Sequence, residues 1–476
     1  MDTKPMRRTK IICTIGPASR SVSKLKQLIH TGMDVARINF SHGTWEEHGE
    51  VISRIRKVSQ EMDKPIAILG DLQGPKIRVG KIAGDKIVLK KGHLLELTTR
   101  NVLGNENLIP TDFKNLCKEV TPGEIILLNE GMIRLQVLSL TQNSVHCKVV
   151  EGGLLLSRKG INLPGIPVDI PSLTEKDKKD LEFCMHSKVD YIALSFVRRA
   201  EDIINIKRII NKAKADIPVI AKLEKPQAIE NLDAILEVTD GVMVARGDLG
   251  VEMSIADVPV IQKDIIRRAN QKRIPVITAT QMLETMTENP RPTRAEASDV
   301  ANAIFDGTDA VMLSGETATG KYPVETVAMM VQIINSAEAH LKEHPVIRRR
   351  AQETKIPFED AISDSASFVA NAIHAQVIVA FTQSGDTARL ISKCRTQTPV
   401  VAFTPHENIR HRMNLYWGVT PYVMPLIESV DEVIEIVVDA LRKRKLVKRG
   451  DNIVIIMGAP IYHKGTTNLL KLHCIS

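Results

Sequence analysis

Lys222 and Glu224 stand two residues apart at the end of the apolar run PVIAKLEK, so an extended backbone turns both side chains to one face. Further on, DGVMVARGD closes with Arg246, Gly247 and Asp248. If the two runs are neighbouring strands, Glu224 and Asp248 place two oxygen donors side by side. Two carboxylates, with water and substrate completing the shell, suit Mg²⁺. Lys222 and Arg37, the latter near the end of DVARINFS, would offset the negative charge of a phosphate or carboxylate. Comparable endings recur: Asn39 and Ser41 follow Arg37, Asp71 closes PIAILGD, Thr278, Thr280 and Gln281 close PVITATQ, and Ser314 and Glu316 close DAVMLSGE. A single Lys-x-Glu reads equally well as a structural ion pair. Several charged strand ends converging on one mouth read as a site, because buried charge is seldom kept without a partner or a task.

A parallel barrel would bring such endings together. Eight β-branched runs, KIICTIG, DVARINFS, PIAILGD, VDYIALSF, PVIAKLEK, DGVMVARGD, PVITATQ and DAVMLSGE, alternate with helical stretches at 21–30, 45–62, 201–214, 227–238, 258–271, 294–305 and 324–341. Continuous apolar strands alternating with helices predict strands buried on both faces. Eight units predict a (β/α)₈ TIM barrel, with its site at the C-terminal strand ends. Between Asp71 and Val189 the pattern breaks into short alternating pieces such as KIVLKKGHLLELTT and GEIILLNEGMIRLQVLSL. This predicts a β domain inserted into a barrel loop, where it could act as a lid, leaving at DLQGPKIRVG and returning at NLPG, before a helix at SLTEKDKKDLEF capped by Thr174 or Ser172. From about Ala351 a smaller helix–strand alternation predicts a separate C-terminal α/β domain, after the linker EHPVIRRRAQETK. The expected boundaries are barrel 1–75, lid 76–171, barrel 172–345 and C-terminal domain 351–476.

Bulk properties narrow the class. At 476 residues the chain exceeds one domain, and its 43% hydrophobic and 25% charged content is that of a globular protein. No apolar run is long enough to span a bilayer, and no signal-type apolar segment follows the basic start, so neither a membrane partner nor secretion is expected. None of the six cysteines forms a C-x-x-C pair, which fits a reducing cytoplasm rather than a zinc site. The net charge of +8 admits nucleic acid or anionic metabolites as partners. The basic run RKRKLVKR, Arg442 to Arg449, reads best as a solvated helix end before Gly450, and aromatic residues are too few for base stacking, so no nucleic acid is expected. GETATGK, Gly315 to Lys321, imitates a phosphate-binding loop but continues with Tyr322 where Ser or Thr is needed, and carries Glu316 inside. The RGD of ARGDLG ends an apolar strand, unlike an adhesion loop.

The motifs TKIICTIGPAS, ARINFSHG, DLQGPKIR, KGINLPG, AKLEKPQAIENLD, VARGDLGVE, ATQMLETM, PRPTRAEASDVANAIFDGTDAVMLSGETA and GTTN run in order along nearly the whole chain. Together they resemble the pyruvate kinase family. The resemblance implies a TIM barrel, an inserted small β-barrel lid and a C-terminal α/β regulatory domain in a cytoplasmic glycolytic enzyme, normally a homotetramer, that transfers phosphate from phosphoenolpyruvate to ADP, giving pyruvate and ATP. It implies Mg²⁺, with Mn²⁺ as an alternative, on Glu224 and Asp248. Lys222 would stabilise the phosphoryl group in flight, and Arg37 would contact it. Gly247, Asp248 and Thr280 would hold the substrate's carboxylate end. Thr280, through water reaching Ser314, would deliver the proton to enolpyruvate. Asn39, Phe40, Ser41, His42, Arg78, Lys159 and Lys176 match nucleotide-contacting positions.

The resemblance also marks two regulatory points. Asn39, Ser41, Asp71 and the backbone of Leu72 match a monovalent-cation site. Members that need K⁺ carry glutamate where this chain has Lys76, so K⁺ is not expected to be required. TQSGDTARL resembles a loop that grips an effector phosphate, through Thr382, Ser384, Gly385 and Thr387, with Asp386 an awkward neighbour for an anion. Ile461, Tyr462 and His463 replace the small residues usual near the C-terminus. Another barrel enzyme acting on phosphoenolpyruvate is the rival reading, and it would not need ADP.

Overall fold

The computed structural model describes residues 7–166, 170–343, 356–425, 427, 429–459 and 467–476. Eight parallel strands close into a barrel: Lys10–Thr14, Val35–Asn39, Ala67–Asp71, Tyr191–Leu194, Val219–Leu223, Gly241–Ala245, Val276–Ala279 and Ala310–Leu313. The last pairs with the first, Lys10 lying opposite Ala310. The runs are apolar throughout because alternate side chains enter two different cores. Ile12, Leu69, Tyr191 and Met243 fill the barrel interior, while Ile11, Cys13, Ile68 and Ile192 pack under the helices.

Three barrel helices begin on reciprocal caps: Thr44 with Glu47, Thr174 with Asp177, and Thr293 with Glu296. Of the two cap candidates before SLTEKDKKDLEF, the helix Glu175–His186 uses Thr174. Ser172 instead donates to Asp202 at 3.0 Å. The helix expected at 227–238 is two, Pro226–Glu230 and Leu232–Val238. The break falls at Asn231, whose side-chain amide donates to the carbonyls of Arg198 and Gln227. Residues 246–248, read as a strand end, open the helix Arg246–Glu252.

The insert leaves after the third strand. A six-stranded mixed sheet and the two-stranded ladder Lys86–Leu89/Gly153–Leu156 wrap one apolar core that includes Leu89, Leu97, Ile126, Leu135 and Leu155. Its root touches the barrel where Asn162 donates to Glu252 at 2.8 Å. Its hairpin tip overhangs the mouth, a Cβ added at Gly131 lying 3.7 Å from Val251.

The C-terminal domain holds a five-stranded sheet in the order Val419–Val423, Val400–Thr404, Val377–Phe381, Asn452–Met457, Leu469–Cys474, the last antiparallel. The basic run is the expected helix end: helix Val430–Lys443 stops there, Lys443 pairs with Asp439, and Arg444 covers the Tyr422 ring at 4.2 Å. From residue 344 the linker lies outside the described residues, as do Ile461, Tyr462 and His463. Among the described residues no helix is long and apolar enough to cross a membrane.

Candidate active site

Lys222 lies at the C-terminal end of the fifth strand with its ammonium pointing into the mouth. It has three N–H donors and three acceptors around it: Ser195 Oγ at 2.7 Å, Glu224 Oε1 at 2.9 Å and Asp71 Oδ1 at 3.2 Å. Burial alone would discharge it, but Asp71 and Glu224 outweigh burial and hold it protonated above the usual lysine range. Asp71 is 1% exposed and also accepts from Arg37 Nε at 2.6 Å. Burial works against its charge, yet Lys222 and Arg37 keep its carboxyl below the usual range. Arg37 is anchored in turn on Thr14 Oγ1 at 2.9 Å.

Glu224 Oε2 accepts the Phe196 backbone N–H at 2.7 Å. Burial pushes the Glu224 carboxyl upward, Lys222 opposes, and the charge of Asp248 adds to the rise. Mutual repulsion of two facing carboxylates is what a divalent cation relieves, and both are hard oxygen donors. Among the described residues no group of three or more His, Cys, Asp or Glu could hold a metal. The pair therefore fits an ion that takes its remaining ligands from substrate and water.

Asp248 sits in the first turn of Arg246–Glu252. The Gly247 N–H donates to Thr280 Oγ1 at 2.8 Å, and Thr280 donates to the Ala279 carbonyl at 2.7 Å. Thr280 and Gln281 both have positive φ, +66° and +52°, which turns the chain out of the strand over the mouth. Thr278 is not part of the mouth: it is buried and donates to Thr308 at 3.0 Å. Ser314 Oγ is buried without a hydrogen-bond partner, and no direct bond joins it to Thr280. Glu316 is buried and accepts the N–H groups of Ser314 and Leu283, so GETATGK forms a short helix and not a phosphate loop. Arg246 is likewise buried and paired with Asp299, so the arginine of the RGD is not displayed to solvent.

The remaining expected residues gather at the rim. Asn39 Oδ1 accepts the Ser41 N–H at 3.0 Å. Lys176 donates to the Phe40 carbonyl at 2.6 Å, while the Phe40 ring is buried against His48 and Phe183, so only the Phe40 backbone faces the rim. Burial and then the charges of Arg78, Lys76, Arg37 and Lys176 lower the His42 pKa, so four cations act on one imidazole. Arg78 donates to the Arg158 carbonyl and the carbonyl of Lys159 accepts from Val79, tying both to the lid root. Lys76 runs along the returning chain, its Cε 3.1 Å from where a Gly160 Cβ would sit. The Leu72 N–H bonds Ala193 O, and its carbonyl accepts from Ser195 at 2.7 Å.

The effector-loop residues are satisfied internally. Thr382 Oγ1 accepts the Gly385 N–H, Thr387 bonds Thr467, and Ser384 donates to Asp386 at 2.7 Å. Asp386 thus occupies the hydroxyl an anion would want.

Sequence reasoning took residues from six strand ends and passed over two. Thr14 ends the first strand and orients Arg37; Ser195 and Phe196 follow the fourth and touch Lys222 and Glu224. The signal was their place at the ends of KIICTIG and VDYIALSF. Their side chains carry no charge, so nothing in residue type set them apart.

Comparison with known proteins adds to this geometry. The family model "Pyruvate kinase, barrel domain" matches residues 6–327, and "Pyruvate kinase, alpha/beta domain" matches 360–473. A pyruvate kinase of Geobacillus stearothermophilus is 46% identical over 473 residues, 99% of this chain and 81% of that protein. One of Bacillus licheniformis is 45% identical with the same coverage. A crystal structure of a pyruvate kinase from Cryptosporidium parvum superposes with a TM-score of 0.91 at 36% identity, covering 99% of this chain and 96% of that one.

Proposed function

The chain belongs to the pyruvate kinase family, and on that premise we propose that the mouth around Lys222 carries the phosphoryl group of phosphoenolpyruvate to ADP, with Mg²⁺ on Glu224 and Asp248 and without need of K⁺. The observation that carries this reading is the Lys222 ammonium, kept charged and aimed into the mouth between Asp71 and Glu224. Phosphoryl transfer asks a protein mainly to position the partners and neutralise charge. Lys222 and Arg37 supply two cations at one point, and His42 with Arg78, Lys76 and Lys176 supply an electropositive rim for a nucleotide. When bound, the divalent ion, Mg²⁺ or Mn²⁺, polarises the phosphoryl oxygens as a Lewis acid.

The enolate left behind needs a proton. Thr280 holds its hydroxyl beside Gly247 and Asp248, and Ser314 Oγ, with no protein partner, is free to bond a water leading toward it. The overhanging lid would keep other water from the phosphoryl group. An effector phosphate at Thr382–Thr387 would have to displace Asp386 from Ser384. Assembly into a homotetramer is supported by Phe358 and Phe368, 84% and 73% exposed on one C-terminal-domain helix, and by strand Leu469–Cys474, which among the described residues pairs on one side only.

Lys222→Met tests the assignment. Turnover should fall by about a thousandfold or more while phosphoenolpyruvate binding, read by titration, changes little, since the contact matters most in the transition state. Unchanged turnover would remove Lys222 from the reaction.

A further inference from the structure

We propose that Ser195 and Phe196 are positioning residues that fix Lys222 and Glu224 and connect both to the lid hinge. Of the three acceptors around Lys222, two are carboxylates with other work: Asp71 also holds Arg37, and Glu224 is a candidate metal ligand. Ser195 is the neutral one and the closest, at 2.7 Å. It is 1% exposed, and its own proton goes to the Leu72 carbonyl at 2.7 Å. With that proton committed, the oxygen can only accept from Lys222, so the hydroxyl fixes the direction of the ammonium without adding charge.

Leu72 is the first residue past the third strand, where the chain leaves for the lid. Two residues on, Gly74 has φ +70° and lies directly on the pair: an added Cβ would come within 2.9 Å of Ser195 Cβ and 2.7 Å of Phe196 Cδ2. Phe196 itself has φ +55°, a left-handed conformation uncommon for an aromatic residue. Such a conformation persists where surroundings over-determine it. Here its N–H is held by Glu224 at 2.7 Å, and its ring faces Lys225 Nζ at 5.4 Å in a cleft shared with Pro75, Lys76 and Asn162 of the lid root. One dipeptide therefore orients the ammonium and the carboxylate, and its other side bears on the hinge glycine. A shift of Leu72–Gly74 as the lid moves is transmitted to Lys222 through a single hydroxyl.

The proposal rests on Lys222 acting on the phosphoryl group. The Lys222→Met experiment decides that reading separately, and the following decides this one. In the full-length enzyme, Ser195→Ala should lower kcat by about 10- to 100-fold with KM for phosphoenolpyruvate within about threefold of wild type and thermal stability nearly kept. A wild-type kcat, or a loss that appears only in KM, overturns the positioning role. Gly74→Ala should also lower kcat. In the double variant the two factors should fall well short of multiplying, because both act through the Ser195–Phe196 pair on which a side chain at Gly74 would press. Full multiplication overturns the link to the hinge. If Gly74→Ala does not fold, Asp177→Asn, which alters the acceptor of the Gly74 N–H, takes its place in the cycle with the same two outcomes.

Discussion

Lys76 is the residue on which the monovalent-cation reading turns. Its charge acts on His42 together with those of Arg78, Arg37 and Lys176. Asp71, the carboxylate of the matched cation site, accepts from Arg37 through Oδ2, and its buried Oδ1 pairs with the Lys222 ammonium at 3.2 Å without a hydrogen bond. Lysine is a compact charge on a flexible stem, suited to standing in for a mobile ion. At about 4 Å and an effective dielectric of about 20, one unit charge is worth roughly 4 kcal/mol. That is enough for its sign at this position to decide whether catalysis depends on an added cation. Turnover should therefore be comparable in Na⁺, K⁺ or tetramethylammonium buffers at equal ionic strength, and Lys76→Glu should make it rise with K⁺. A wild-type enzyme nearly silent until K⁺ is added would take this role from Lys76.

The element that sets the hinge is the helix Glu175–His186, through Asp177. One carboxylate oxygen accepts from the Thr174 N–H and hydroxyl, and the other accepts the Gly74 N–H at 3.0 Å, so a helix cap and the lid exit share a fully buried side chain. Asp177→Ala removes the reciprocal half of the cap, leaving the Thr174 hydroxyl on the helix amide, and orphans the Gly74 amide, which together should cost about 2–3 kcal/mol. The loss should read as a lower melting temperature, with faster hydrogen exchange at Gly74 than in the barrel strands; an unchanged hinge amide would show that Asp177 serves the cap alone. The capping motif TEKD was legible because its chemistry is local. The eight barrel strands were legible for a related reason: burial on both faces leaves a continuous apolar run. Strands Val419–Val423 and Leu469–Cys474 were not, since one contains Pro421 and the other is an edge strand of mixed polarity. The break at Asn231 was hidden because it rests on a bond to the carbonyl of Arg198, far off in sequence. Ser195 escaped for the same reason: its role is visible only once three strand ends meet.

At the scale of the molecule, barrel and C-terminal domain are joined by a charged seam, whereas the lid meets the barrel at its root and tip. Asp309, just before the eighth strand, holds Lys393 at 2.5 Å and Arg395 at 3.0 Å, and Asp309 and Lys393 are each 1% exposed. Arg273 pairs across to Asp360 and Asp364, and Arg412 to Asp216. His411 stands in the same seam, 3.2 Å from Arg56 and 3.8 Å from Asp190, with Glu407 at 4.0 Å. Burial first, then Arg56 and Arg410, push its pKa down to about 3. The folded seam thus refuses a proton that the unfolded chain accepts below about pH 6.5. Stability contributed by neutral His411 is full above that value and lost as pH falls toward 3, at no more than about 1.4 kcal/mol per pH unit. His411→Gln should flatten the acid limb of the stability profile, and an unaltered limb would place the acid sensitivity elsewhere. Asp309 is the stronger lever. Asp309→Ala removes the carboxylate that two largely buried cations share, leaving Lys393 on Asn270 and Arg395 on the Gly307 carbonyl, and breaking such a buried pair typically costs about 3–5 kcal/mol. That charge lies at the join between the two domains, beside an apolar cluster that runs from the barrel interior into the C-terminal sheet, so the loss should fall first on the join. Calorimetry of the variant should resolve two transitions where the wild type melts as one, since domains uncouple when the contacts between them cost more than they contribute. A single transition at the wild-type temperature would mean that the seam is held by its other pairs.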